Sequence, residues 1–442
     1  MSIVPLITGI IAVSAVATSA LAEPYCPEML NRDELEPRYQ RLAPIYNSAE
    51  TGWIFGSDQL DYRYVLTNTE QTLLADLVSE LASRGTQLSM LIAPPRPVVA
   101  GQEVVDETTG QPGSYDMAAQ ANAFHHMIGQ LKEAGAVAPD LLALAQSQPS
   151  LANTYYFQRD THWTNLSAAY SALALASELS GDPEPAFDPS SLAQIELVEE
   201  PGSLSEIVSV VCDTTPGSEF SALLDYSPHL PQAGGLLETP TDAGDAAILL
   251  GTSFSDRNRR DQYQTADALA AALQRPIQNR SVSGGGLVGP FETYILTGGF
   301  AEDRPDLVIW EFPYTYELRE RELRRLLGAL RADEGVAHTQ SFAIGGDTTQ
   351  IDMPNNAVSR TLLGLRMTDG SARDMILHLH FDDGSDAQFR LRRKTRMDEV
   401  AILDTWWIDL HDFPAPLASI TLELRGNSDL RELQLLTADA SS

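Results

Sequence analysis

The sequence predicts an α/β domain built on a parallel sheet flanked by helices, followed by a C-terminal antiparallel β-sandwich. Two observations predict the first part. Short, continuously apolar runs such as Leu307 to Phe312 alternate with stretches of helical periodicity. An apolar run without polar alternation is what a strand covered on both faces looks like. A glycine also closes several helices just before the next strand. The third observation concerns the region after about residue 335, where apolar and polar residues alternate in short runs separated by turn signals.

Taken in order, residues 34–40 read as a short helix and Gly52-Trp53-Ile54-Phe55-Gly56 as a compact strand or turn. Residues 69–84 place Leu73, Leu74, Leu77 and Leu81 on one helical face, and Gly85 ends the helix. Residues 87–93 read as a buried strand stopped by Pro94-Pro95. Helices follow at 117–134, closed by Gly135, and at 167–179. Strands are expected at 246–250, 277–282 and 307–312, with helices at 265–273 and 317–331. Residues 181–244, rich in Pro, Ser and acidic side chains, are expected to form an irregular surface insertion. Strands 376–381, 388–392, 402–410, 420–424 and 433–436 make the sandwich, with Asp382-Asp383-Gly384 and Gly426-Asn427-Ser428 as turns. The expected domains are therefore 23–335 and 336–442.

Sixty-one Asp and Glu against twenty-nine Lys and Arg give a formal net charge of −32. That balance excludes nucleic acid as a partner, because phosphate backbones need a basic surface. Lysine is nearly absent, so arginine carries the positive charge and can grip carboxylates with two hydrogen bonds. Residues 1–22 form an apolar run ending Ala20-Leu21-Ala22, a small-x-small signal for secretory cleavage before Glu23. Met1 to Ile7 carries no Lys or Arg, so an uncleaved anchor is the alternative. In an exported chain Cys26 and Cys212 suggest one disulfide, with two free buried thiols as the alternative. No residue spacing predicts a metal, and no cofactor is expected.

The chemistry concentrates in three segments. In Tyr155-Tyr156-Phe157-Gln158-Arg159-Asp160-Thr161-His162-Trp163-Thr164, Asp160 and His162 are two residues apart. In an extended segment they would share a face, letting the carboxylate accept the ring N–H and fix the imidazole tautomer. A structural salt bridge is the plainer alternative. In Leu249-Leu250-Gly251-Thr252-Ser253-Phe254-Ser255, a buried strand ends in glycine, and Ser253 sits at the turn. That places its hydroxyl at the C-terminal edge of the parallel sheet, where open α/β sheets bind ligands. In Ser281-Val282-Ser283-Gly284-Gly285-Gly286, the glycines free backbone N–H groups to approach a substrate, or form a flexible loop. A Ser–His–Asp set with such donors is the machinery of acyl transfer.

Together with Leu307-Val308-Ile309-Trp310-Glu311-Phe312-Pro313, these segments resemble the SGNH-hydrolase-like polysaccharide O-acetyltransferases of the AlgX/AlgJ type. The resemblance covers most of 26–335, and the β-module resembles the carbohydrate-binding module of the AlgX branch. It implies Ser253 as nucleophile, His162 as general base and Asp160 as its orienter, with Ser253, Gly284, Gly285 and Gly286 as oxyanion donors. It also implies a periplasmic protein of an alginate export complex, receiving acetyl groups relayed by a membrane-bound O-acyltransferase.

The β-module adds a basic cluster, Arg390, Arg392, Arg393, Lys394 and Arg396, suited to the carboxylates of an alginate-like polyuronate. The alternative is that these residues neutralise Asp382, Asp383 and Asp386. Of the adjacent Trp406 and Trp407, one is expected to face solvent and stack on a sugar. Arg96, after Pro94-Pro95, is expected to line the crevice. His378 and His380 alternate on a strand without carboxylate spacing for a metal. Two other functions fit this reading: a carbohydrate acetylesterase, or an idle polysaccharide-binding scaffold.

Overall fold

Four apolar strands lie side by side, all parallel, in the order Gln87–Ala93, Leu307–Pro313, Ala247–Leu250 and Ile277–Asn279. The computed structural model describes residues 24–438 apart from 49, 149–150, 152–153, 183, 232–246, 257–262, 333–337, 354–361 and 427. The residues of the expected signal, 1–22, fall outside that range. Every residue of Ala247–Leu250 is buried, which is why this strand shows no polar alternation. Helix Asn68–Ser83 starts at a capping box between Thr67 and Glu70 and buries Leu73, Leu74, Leu77 and Leu81. It packs on Glu320–Arg331, and Asn165–Ser180 packs on Thr265–Leu273, so helices flank the sheet.

The C-terminal part is two four-stranded antiparallel sheets. One runs Thr348–Asp352, Leu417–Leu424, Asp374–Phe381, Asp386–Arg392; the other runs Thr405–Asp409, Leu362–Asp369, Glu432–Ala438, His338–Ala343. Leu377, Leu379 and Ile420 of the first meet Leu363, Leu365 and Leu433 of the second in one core. Alternate residues of Asp374–Phe381 are buried, the period-two pattern of a strand with one inward face.

Three expectations about elements need correction. Residues 34–40 are not a helix: 3-10 turns occupy Arg32–Glu34 and Gln40–Leu42. Pro37 lacks the N–H an α-helix interior needs. The 277–282 strand stops at Asn279. Within 181–244, Gln194–Glu200 pairs antiparallel with Glu219–Leu224 around helix Ser203–Cys212. That ribbon leaves Ile195, Leu197 and Phe220 exposed, so its apolar residues do not mark a buried face.

Cys212 at the end of this helix is bonded to Cys26, closing a loop across 186 positions. Among the described residues no helix is long and apolar enough to cross a membrane.

Candidate active site

The Asp160 and His162 segment is a hairpin, not an extended strand. Tyr156 bridges Trp163, and the Phe157 N–H reaches the His162 carbonyl at 3.3 Å. The shared face arises at the turn. Asp160 Oδ1 accepts the His162 backbone N–H at 2.7 Å and also contacts His162 Nδ1. Asp160 Oδ2 accepts the Ser203 N–H, the first of helix Ser203–Cys212. Burial alone would push this carboxyl up. The His162 ring and the N–H groups of Ser203 and His162 outweigh it and hold the group well below the usual carboxylate range.

Helix Ser203–Cys212 fits here because Gly202 precedes it at φ 81°. A Cβ at that position would lie 2.4 Å from the Arg159 carbonyl oxygen, which accepts the Leu204 N–H at 3.1 Å. The other flank of the hairpin is held by Arg96. Its guanidinium donates to the carbonyls of Ile54 (2.6 Å), Phe157 (2.9 Å) and Gln158. It also stacks over Trp53 and Phe55, at 4.6 and 4.9 Å from the ring centroids. Burial lowers its ionisation to about 10. Arg96 borders the expected crevice, but its donors are spent on main chain, so it clamps the hairpin and is not a free substrate contact.

The partner hydroxyl comes from the sheet edge. Ser253 follows Ala247–Leu250 in a tight turn whose Ser255 and Asp256 N–H groups return to the Thr252 carbonyl, at 3.1 and 3.0 Å. Ser253 Oγ lies 2.7 Å from His162 Nε2. The two loops are stapled by the Trp163 indole N–H, which donates to the Phe254 carbonyl at 3.1 Å. Tyr263 stacks on the imidazole with centroids 5.1 Å apart, and Phe254 packs at 4.7 Å. A 140 Å³ cavity opens over Ser253, bordered by Arg41, Tyr156, Thr161, Pro313 and Tyr316.

The sequence reading missed four residues of this neighbourhood. Tyr263 and Phe254 carry no polar signal of their role, and Arg41 is distant in sequence. Glu311 was legible: one acid inside the apolar run Leu307 to Phe312 cannot be buried without partners. Its carboxylate accepts the Thr252 N–H at 2.9 Å and the Thr252 hydroxyl at 3.0 Å.

The glycine run does not border this cavity. Gly284 and Gly286 lie against the side chains of Arg396 and Lys394, and Gly285 against Met397. Of the expected oxyanion donors, only the Ser253 N–H stays beside the hydroxyl. Both tryptophans are also misassigned. Trp406 is 0% exposed in the sandwich core, and Trp407 is 5% exposed against Ala329 and Leu436. The strand alternates between two cores, since helix Glu320–Arg331 of the parallel-sheet part covers its outer face.

The basic cluster is partly spent. Asp374 takes Arg390 in two hydrogen bonds of 2.8 and 2.6 Å and lies 3.6 Å from Arg392; Asp382, Asp383 and Asp386 are not the neutralisers. Arg396 pairs with Glu399. Lys394 has no ion pair among the described residues. Burial and the guanidiniums of Arg392, Arg41 and Arg390 push its ionisation down. A 270 Å³ cavity between Gly285–Gly286 and the module is bordered by Arg390, Arg392, Arg393 and Lys394. Arg41 stands near Lys394 and also borders the Ser253 cavity.

Residues 47–314 match the family model described as "SGNH hydrolase-like domain, acetyltransferase AlgX". The alginate biosynthesis protein AlgX of Pseudomonas fluorescens is 26% identical over 325 residues, 71% of this chain and 65% of that protein. AlgX of Pseudomonas syringae pv. tomato is 25% identical over 405 residues, 87% of this chain and 82% of that one. The same organism's "probable alginate O-acetylase AlgJ" is 26% identical over 291 residues, 62% of this chain and 71% of its own length. The solved structure of Pseudomonas aeruginosa AlgX superposes with a TM-score of 0.71 at 18% identity, over 94% of this chain and 99% of that one. That likeness extends the shared fold through the C-terminal sheets.

Proposed function

Because the chain belongs to the AlgX family of SGNH-hydrolase-like acetyltransferases, we propose that it moves acetyl groups onto hydroxyls of an alginate-like polyuronate through an acetyl-serine at Ser253. The observation that carries this reading is the chain of contacts from Ser253 Oγ through His162 to Asp160, with 2.7 Å between the hydroxyl and the ring nitrogen.

Ser253 Oγ attacks the carbonyl carbon of an acetyl ester while His162 Nε2 takes its proton. That proton passes to the departing donor oxygen, leaving acetyl-Ser253. A sugar hydroxyl then gives its proton to His162 and attacks the same carbonyl. The Ser253 ester bond breaks, and the proton returns to Ser253 Oγ. Asp160 stays ionised throughout and steadies the imidazolium. The Ser253 N–H points its dipole at the developing oxyanion, a contribution of about 3 kcal/mol for one such donor.

The acceptor is a polyanion on this reading. Lys394 and the arginines beside Gly285–Gly286 offer a cationic floor, and Arg41 continues it toward Ser253. The donor is an acetyl ester relayed in the periplasm from a membrane-bound O-acyltransferase. Residues 23–335 carry the transfer and 336–442 hold the polymer.

The test uses a chromogenic acetyl ester with and without polyuronate oligomers, following acetylated oligomers by mass. Acetylation of the oligomers is expected, and Ser253→Ala should lower turnover by at least roughly a thousandfold. Ester cleavage that never acetylates sugar would make the protein an esterase. Unchanged turnover in the variant would remove Ser253 from the reaction, and oligomer binding without turnover would leave a scaffold.

A further inference from the structure

Beneath the Ser253 turn lies a fully buried carboxyl that the transfer steps do not use. Glu311 is 0% exposed, on the central strand Leu307–Pro313. It receives both donors of Thr252, the residue before Ser253. The fit is close: a Cβ on Gly251 would stand 2.5 Å from Glu311 Oε2 and 2.8 Å from Ser281 Oγ. Glycine at 251 therefore exists to let this carboxyl sit under the turn. Ser281 Oγ faces the same gap, is buried, and has no hydrogen-bond partner among the described residues.

Two arrangements of this pocket differ by one proton. As a carboxylate, Glu311 is an acceptor only and holds the Thr252 N–H and hydroxyl together. As an acid it carries a donor of its own, and Ser281 Oγ is an acceptor waiting for one. Turning toward Ser281 withdraws an oxygen from Thr252 and frees the turn that presents Ser253.

We propose that Glu311 is a positioning residue whose ionised form locks the Thr252–Ser255 turn and sets the Ser253 hydroxyl on His162, and whose protonation releases it. This rests on the reading of Ser253 as the nucleophile. Burial pushes Glu311 up to about 7, against the Thr252 N–H, the Ser255 and Thr252 hydroxyls and the nearby His162 ring, which act to lower it. The other titratable groups facing it are Tyr156 and Tyr316, both neutral through this range because burial raises them. The switch therefore lies where an exported enzyme meets changes in external pH. A carboxyl raised in the folded state favours folding while protonated and loses that advantage as pH rises through about 7. Activity and stability thus respond to this proton in opposite directions.

The test is the pH dependence of acetyl-ester turnover and of Ser253 sulfonylation by a sulfonyl fluoride, in wild type and Glu311→Gln. Two groups must lose protons in wild type, His162 and Glu311, so log kcat/KM should fall with a slope approaching two at acid pH. Glu311→Gln mimics the protonated form. It should leave a slope of one and a plateau lower by tenfold or more, with a gain in Tm at pH 8 that disappears at pH 5. A wild-type profile in that variant overturns the proposal. Thr252→Val gives a second route: losing one donor to the carboxylate should move the acid limb to higher pH, and an unmoved limb also overturns it. Ser253→Ala separates the two readings. Undiminished turnover there removes the nucleophile itself, whereas a dead Ser253→Ala beside an unaltered Glu311→Gln removes only the switch.

Discussion

Asp160 is a carboxylate with every oxygen claimed. Oδ1 takes the His162 N–H and ring, and Oδ2 takes the first N–H of a helix. An amide at this position brings its own N–H₂ into a site built for an acceptor, and it turns the imidazole to the wrong tautomer. Asp160→Asn should therefore keep the fold and lower kcat by about a thousand- to ten-thousandfold, with KM little changed, as such substitutions do in Ser–His–Asp sets. The same carboxylate contributes stability with a definite sign. Its ionisation is depressed in the folded chain. The contribution is complete above the ordinary carboxyl range near pH ~4 and is lost as pH falls further. Urea midpoints measured downward from neutral pH should drop less steeply in Asp160→Asn. What was legible here was the pairing of Asp160 with His162, because two residues of separation allow it in a turn as well as in a strand. Arg96 borders the cavity. Its task was hidden, since nothing in Pro94-Pro95-Arg96 says that three distant carbonyls will converge on it.

Helix Ser203–Cys212 joins the disulfide to the candidate site. Its first N–H holds Asp160, and its last residue is tied to Cys26. Cutting the tether frees the far end of the rod whose first N–H holds Asp160. Cys26→Ser with Cys212→Ser should lower stability by up to about 5 kcal/mol, the upper figure for so long a loop in the chain-entropy model. It should also slow Ser253 acylation at temperatures well below the lowered Tm. Equal acylation rates in folded wild type and double variant would leave the helix with a purely structural part. The sequence pointed to the bond and not to the helix. Apolar periodicity reports buried faces, and the ribbon around this helix turns Ile195, Leu197 and Phe220 outward. The parallel strands were legible for the opposite reason: Leu88 to Ala93 and Ala247 to Leu250 are buried on both faces, so their runs are unbroken. The glycine run was misread because local sequence cannot say which surface a freed backbone will meet. It meets Lys394, Arg396 and Met397 of the module.

Across the whole chain, the parallel-sheet part and the β-module are joined through buried charge. Glu292, 1% exposed, accepts Arg325 at 2.7 Å and Arg393 at 3.1 Å. The Trp406 ring lies 3.9 Å from the Arg393 guanidinium and 4.9 Å from that of Arg325. This explains why that tryptophan is not on the surface: it is the apolar half of the joint. Arg325 and Arg393 also border the cationic cavity, so the joint holds in place the floor proposed for the polymer. Removing Glu292 leaves two buried arginines without the carboxylate they share. Glu292→Ala should cost about 3–5 kcal/mol, whereas replacing Glu292, Arg325 and Arg393 together by apolar residues of similar volume should be close to neutral. Urea denaturation of the two variants measures the difference. The joint also has a pH limit. Burial works against the Glu292 charge, but Arg325 and Arg393 lower its ionisation to about 2. Its stabilisation is full above the ordinary glutamate range near ~4.3 and disappears only as pH falls through about 2. The module should stay seated across the range in which Glu311 changes its proton. A loss of polyuronate acetylation between pH 8 and 6 should then appear in kcat, with the affinity for the oligomer unchanged. An affinity that falls in step with turnover would instead place the pH response in the joint.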